Sequence, residues 1–319
     1  MSAVLRAMTS TAMSAKPGFD PFWLWQDVVQ QAARLLDWGP KRGDPENPSA
    51  LMTKVSELVT LIEFLTEQDA DVGIFELMQI DMSSYVVAHH VQTVFLCGLI
   101  ANKLGLPEAR RNSLCRAAFT MNVSAMSLQE SLSKQMGPIT PEQKIQMTGH
   151  GPRSRALLQN FGVTDPDWLQ AVQEHHPEIL PAGQVVCELA NIIHHADIYL
   201  AKISPRAYRP AKTADLAAKE LLTSPAADRR IVSILIKEFG IYPPGSYVAL
   251  ANGETAIVVR RREKAHTPMV YAISKGNVIH HTPVERDTAL APFAITGIVQ
   301  RSEVKASINR AALLGYHHV

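Results

Sequence analysis

The chain is short of cysteine, of net charge and of uninterrupted apolar runs, and each shortage removes a class of protein. Its three cysteines, Cys97, Cys115 and Cys187, are odd in number and far apart in 319 residues. That excludes a disulfide framework. It reads as reduced, buried thiols and sets the expectation of a cytoplasmic protein. A formal net charge of +1 gives no global pull toward nucleic acid or an acidic surface, so no nucleic-acid partner is expected. The most apolar stretch, 86–104, is interrupted by His89, His90, Gln92 and Asn102. It reads as a buried core helix and not a membrane span, so no membrane association is expected. Residues 1–18 lack the continuous apolar core of a secretory signal and read as a disordered lead-in. The chain has neither an internal repeat nor a low-complexity tract.

Hydrophobic residues make up 46% of the chain and charged residues 19%, which is enough apolar material for a large core and more than one domain. Up to about residue 240 the apolar positions recur at helical spacing. In the second predicted helix Leu51, Val55, Leu58, Val59, Ile62 and Leu65 trace one face. Thr140-Pro141-Glu142-Gln143 is a capping box with proline at the first helical position. Asp165-Pro166 opens a helix that closes at His175-His176, and Gly162 and Gly240 read as terminators. After the rigid turn at 242–245 the period becomes two. Asn252-Gly253 and the Lys-Gly-Asn turn at 275–277 mark two hairpins, 293–299 a further strand, and 303–314 a last helix. The arginine run at 260–262 reads as a solvated hairpin tip, and Asp228-Arg229-Arg230 as a helix start.

The chemistry-bearing residues are His89, His150, His175, His176 and Asp197. Each sits among apolar residues on a different predicted helix or at a helix end, which is how a helical bundle assembles a metal site. Adjacent histidines point about 100° apart on a regular helix. His175 and His176 can therefore share an ion only where the helix frays or tightens, and Pro177 supplies such an ending. Plainer readings stay open beside this one. Asp197 can pair with His89 in a metal-free core. The double histidine can simply be imidazolium at the negative end of a helix dipole. His90, His194 and His195 read as solvated or satisfied core histidines, and His280, His281, His317 and His318 as surface residues.

Two motifs carry a family resemblance. Residues 196–201, Ala-Asp-Ile-Tyr-Leu-Ala, followed by Ser-Pro-Arg-Ala-Tyr-Arg at 204–209, resemble the V-A-D-x-x-x-A-x-x-x-x-R-x-Y-R helix and loop of the HD-GYP family of bacterial phosphohydrolases. Residues 132–140 resemble that family's lead into its next histidine helix. The likeness covers 85–242, about half the chain. It implies that His89, His150, His175, His176 and Asp197 fall on metal-ligand positions, and that Arg206 and Arg209 fall where the family contacts ligand phosphates. It also implies an HD-type helical bundle, and with the period-two segments after 242 the expected fold is mainly α with a small C-terminal β-rich domain. The expected segments are a lead-in at 1–18, N-terminal helices at 19–80, the HD-GYP-like domain at 81–240 and the β-rich domain at 241–319.

The departures from the pattern are specific. Met121-Asn122 stand where the family has its defining His-Asp pair, Ala125 where it has a lysine, and Tyr85 where it has a glutamate. The loop after the double histidine lacks Gly-Tyr-Pro. A neutral Asn122 cannot supply the charge that holds two cations close together. The expectation is a catalytically degenerate protein with a regulatory or scaffold role in bacterial cyclic-dinucleotide signalling. The alternative is an active metal-dependent phosphohydrolase with a reduced site. The expected cofactor is one divalent ion (zinc, iron or manganese) or none. The expected partner is a cyclic dinucleotide or a signalling protein. The sequence does not set the oligomeric state.

Overall fold

The computed structural model describes residues 21–37, 47–80, 84–205, 207 and 211–316. Among them are α1 (Pro21–Leu35), α2 (Pro48–Gln68), α3 (Ala70–Met78), α4 (Tyr85–Leu104), α5 (Glu108–Thr120), α6 (Met126–Lys134) and α7 (Pro141–Thr148). They are followed by α8 (His150–Asn160), α9 (Pro166–Glu174), α10 (Glu188–Ile203), α11 (Ala214–Leu222) and α12 (Arg229–Phe239). The strands are β1 (Tyr247–Leu250), β2 (Glu254–Arg260), β3 (Met269–Lys275), β4 (Val278–Asp287) and β5 (Ile295–Val299), and α13 (Arg310–Leu313) ends the chain. This is the mainly α architecture with a small C-terminal sheet that the periodicity and the resemblance imply. The chain divides into two compact units, Met1–Gln68 with Ser84–His194, and Asp69–Ser83 with His195–Val319.

The first unit is built on α4. Every residue from 85 to 101 is buried, so over that stretch no face of the helix meets water. Its polar side chains bond back along the helix: His90 Nδ1 to the Val86 carbonyl at 2.7 Å, and the Thr93 hydroxyl to the His89 carbonyl at 2.7 Å. By length and composition α4 could cross a membrane, but 94% of its apolar window lies inside the protein. Gly105, at φ +68°, ends it in a left-handed cap that few other residues adopt. Helix α5 packs on α4 and α9 on α5. The fully buried Ala117, Ala118 and Ala171 keep these helices close. Two hydrogen bonds then set the position of α9. The Trp168 indole N–H donates to the Thr120 hydroxyl at 2.7 Å, and the Ser113 hydroxyl donates to Asp165 at 2.6 Å. The other Asp165 oxygen caps the helix by accepting from Trp168 N at 3.1 Å.

In the second unit the sheet order is β4-β3-β2-β1-β5, all antiparallel. The Asn252-Gly253 turn joins β1 to β2, with Gly253 at φ +82°. Val248, Leu250, Ala256, Val258, Val270 and Ala272 form the core of one sheet face. Helix α3 belongs to this unit, and ions hold it there. Arg260 reaches both carboxylate oxygens of Asp69 at 3.0 and 3.1 Å, Arg261 meets Asp71 at 2.5 Å, and Arg310 meets the buried Glu76 at 2.8 Å.

Two sequence expectations need correction. The run at 260–262 is only partly a solvated tip: Arg260 and Arg261 are half-buried and pair as above, whereas Arg262 is exposed and pairs with Asp287 at 2.5 Å. The last helix over 303–314 is a 3₁₀ turn at Arg301–Glu303 and the short α13. Asn309 starts α13 afresh by accepting from Ala312 N. Helix α6 carried no start signal, because Ala125 at its N-cap has no side chain to cap with.

Candidate metal centre

Helix α9 ends where the double histidine stands. His175 keeps near-helical angles (φ −65°, ψ −8°), and His176 leaves the helix (φ −109°, ψ 81°) ahead of the 3₁₀ turn Pro177–Ile179. This change of direction brings two adjacent rings to one place, with centroids 4.4 Å apart. Around this end the chain is pinned. Buried Glu174 accepts from Cys187 N at 2.8 Å and from Gln170 at 3.1 Å, and His194 Nδ1 donates to the His175 carbonyl at 3.0 Å.

His150 opens α8 against this corner. The helix leading to it breaks at Gly149, so α7 and α8 are separate. Gly151 allows the approach, since a Cβ there would lie 2.5 Å from the Gln173 carbonyl oxygen and 3.0 Å from that of Val172. On the other side, the turn between α5 and α6 is tied to the start of α8. The Ser124 hydroxyl donates to the His150 carbonyl at 3.1 Å and shares a 2.9 Å hydrogen bond with the Ser154 hydroxyl.

His150, His175 and His176 form one group whose ligand atoms all lie within 4.8 Å of one another. His175 Nδ1 meets the Val172 carbonyl at 2.7 Å, and His150 Nδ1 meets the Met147 carbonyl. A ring nitrogen facing a carbonyl must donate, so in each neutral ring Nε2 carries the lone pair. Those two Nε2 atoms face each other at 3.0 Å. Two lone pairs at that distance repel unless a cation, proton or metal, stands beside them. Two imidazoles bound to one ion at about 2.0–2.1 Å would hold their nitrogens about 3–3.4 Å apart. His176 Nδ1 lies 3.2 Å from Glu178, which leaves its Nε2 for a ligand. Burial pushes the Glu178 carboxyl up, but the His176 hydrogen bond and a backbone bond outweigh it and leave the group below the ordinary carboxylate value. Each histidine thus has the outer partner that metal-binding imidazoles usually carry, and the residues fit a single divalent ion with nitrogen ligands.

The three-histidine group holds no other described residue among those singled out in the sequence. His89 is outside the three-histidine group. Its Nδ1 meets the Tyr85 hydroxyl at 3.0 Å, and the two rings stack at 5.2 Å. Asp197 belongs to the second unit, half-buried on α10. Arg206 and Arg209 lie outside the described residues, as do His317 and His318. Met121, Asn122 and Ala125 are all buried in the turn after α5, where the Asn122 carbonyl accepts from Ala125 N at 2.8 Å. His90 and His195 are core histidines: His90 Nδ1 meets the Val86 carbonyl at 2.7 Å, and His195 Nε2 accepts from Asp228 N at 2.9 Å. Sequence reasoning missed Gly151, Ser124 and Glu178. Only Glu178, two residues past the double histidine, carried a visible signal.

A helical bundle with a preorganised histidine corner is the class that the fold and site define, and the comparisons with known proteins narrow it. No family model matches the chain. It is 23% identical over 251 residues to the cyclic di-GMP phosphodiesterase PdeB of Borreliella burgdorferi, across 73% of this chain and 64% of that protein. It thus spans just under two thirds of that relative. Its fold resembles that of Bd1817, a HDG"Y"P protein from Bdellovibrio bacteriovorus, with a TM-score of 0.52 at 15% identity, over 72% of this chain and 76% of the other. Together the sequence likeness and the shared fold support assignment of this chain to the HD-GYP/HD-domain family.

Proposed function

We propose that this chain is a catalytically degenerate HD-GYP-type protein that serves as a regulatory or scaffold component of cyclic-dinucleotide signalling in the cytoplasm. It holds one divalent ion at most. The observation that carries this reading is the make-up of the corner: three histidines converge, and among the described residues their group holds no carboxylate. Asn122 and Met121, at the positions where the family pattern has its Asp and His, are neutral and buried. A two-metal hydrolase needs a bridging carboxylate to keep both cations close. Tyr85, in place of a glutamate, puts its hydroxyl on His89 Nδ1, which favours a closed first position.

His150, His175 and His176 would hold the ion. A bound zinc, iron or manganese ion would supply Lewis acidity and a more acidic water. The carbonyls of Met147 and Val172 and the Glu178 carboxylate orient the three rings. The relative PdeB is named for cyclic di-GMP, and a cyclic dinucleotide is the ligand proposed for this chain, with Arg206 and Arg209 on its phosphates.

A second reading, an active mononuclear phosphohydrolase, draws on the same preorganised Nε2 atoms. Elemental analysis of the purified protein, paired with a cyclic di-GMP hydrolysis assay in manganese or ferrous iron, separates the two. The first reading expects one metal or none per chain and no turnover above background. Two metals with enzyme-like turnover would sink it. One metal with turnover that disappears in His176→Ala would establish the second.

A further inference from the structure

The second unit contains a cavity of about 570 Å³, within the range of small-molecule sites of roughly 300–1,000 Å³. Its walls come from the C-terminal end of α3, the start of α11, β1 and the segment following β5. None of the three corner histidines lines it. Ile80, Ile203 and Ile298 give it an apolar side. Among the described residues its charged lining residues are Lys212 and Arg301, and no described aspartate or glutamate lines it. Lys212 also pairs with Glu220 at 2.5 Å, and the Arg301 guanidinium lies 5.4 Å from the centre of the Tyr247 ring. Helix α11 begins in the wall. Thr213, its N-cap, and Ala214 both line the cavity, and the Thr213 side chain accepts no hydrogen bond from the first turn. Tyr247 is only 3% exposed, and its hydroxyl meets no protein hydrogen-bond partner.

Two cations, one of them shared with Glu220, an uncapped helix start and a buried phenol thus share one cavity with an apolar side. A helix start and an arginine each favour phosphate, and an unmet buried hydroxyl costs free energy until water or a ligand meets it. We propose that this cavity binds a small phosphate monoester with an apolar body, such as a nucleoside monophosphate, at a site built without the histidine corner.

The test is calorimetric titration of the full chain, in EDTA to clear metal from the histidine corner, with guanosine 5′-monophosphate, phenyl phosphate and inorganic phosphate. Guanosine 5′-monophosphate and phenyl phosphate should bind, and inorganic phosphate more weakly. Arg301→Ala should weaken binding about ten- to hundredfold, as loss of a charged hydrogen bond does. Thr213→Trp, which fills the cavity and keeps both cations, should abolish binding while thermal melting confirms the fold. His176→Ala should leave the affinity unchanged. The proposal is overturned if none of the three binds at millimolar concentration, or if both cavity variants bind as the parent does. Loss of binding in His176→Ala would also overturn it, and equal affinity for inorganic phosphate would remove the apolar body.

Discussion

His150 and His175 each give a ring nitrogen to a backbone carbonyl three residues earlier, whereas Asp69 and Glu76 take arginines from 191 and 234 residues along the chain. Both arrangements satisfy polar groups in or near a protein interior. They differ in what is left over. In the histidine corner a local partner uses Nδ1 and leaves Nε2 lone pairs converging. In the second unit Asp69, Glu76 and Glu254 each close on an arginine, Glu254 with Arg286 through two contacts of 2.8 Å. The lesson is that buried polarity alone does not mark a site. The mark is a set of orienting bonds that leaves several lone pairs aimed at one point.

The comparison breaks first at Gly151. Gly151→Ala places a methyl 2.5 Å from a backbone oxygen that belongs to α9 and cannot swing aside. The expected cost is about 1–3 kcal/mol of stability, as for other overpacking changes. Metal retention should fall further, because α8 must move away from His175. Urea denaturation and metal titration read the two effects, and a variant that keeps both parental stability and parental metal content would show that the corner tolerates slack.

In the second unit the corresponding change is Arg310→Ala, which takes the guanidinium from the buried Glu76. A loss of about 1–2 kcal/mol in urea is expected, with the metal content of the protein unchanged. A parallel loss of metal would mean that the two arrangements are coupled.

The smallest expected effect is with pH. The Arg286 hydrogen bonds outweigh burial and hold the Glu254 carboxyl down at about 2. An unfolded glutamate titrates near 4.3. The folded value is depressed, so this group's stabilisation is complete above the unfolded value. It is lost as pH falls from there through about 2. Glu254→Gln should flatten the fall in melting temperature over that window. An identical acid profile in the variant would show that other carboxylates carry the acid sensitivity.

Much of the fold was legible because its signals are local. The capping box at Thr140, the Asp165-Pro166 start and the Asn252-Gly253 turn each act within a few residues, and all three form. Helix α6 was not legible, because Ala125 offers no side-chain cap. The arginines at 260–262 misled for the opposite reason: two of their carboxylate partners, Asp69 and Asp71, are about 190 residues away. At the candidate site, residue types and order pointed to His150, His175 and His176. The Gly151 contact, the Ser124 tether and the facing Nε2 atoms did not show in the sequence, since each depends on two elements meeting.

The sequence by itself determined the helical body, the small sheet, the histidines and the neutral pair Met121-Asn122, because periodicity, caps and residue identity are properties of short segments. Only the tertiary structure decided that three histidines from two helix ends share one point, that Tyr85 covers a nitrogen of His89, and that α3 is held by arginines from the far end of the chain. The reason is physical: hydrogen bonds and close contacts act over a few ångströms in space, and distance along the chain does not limit which residues they join.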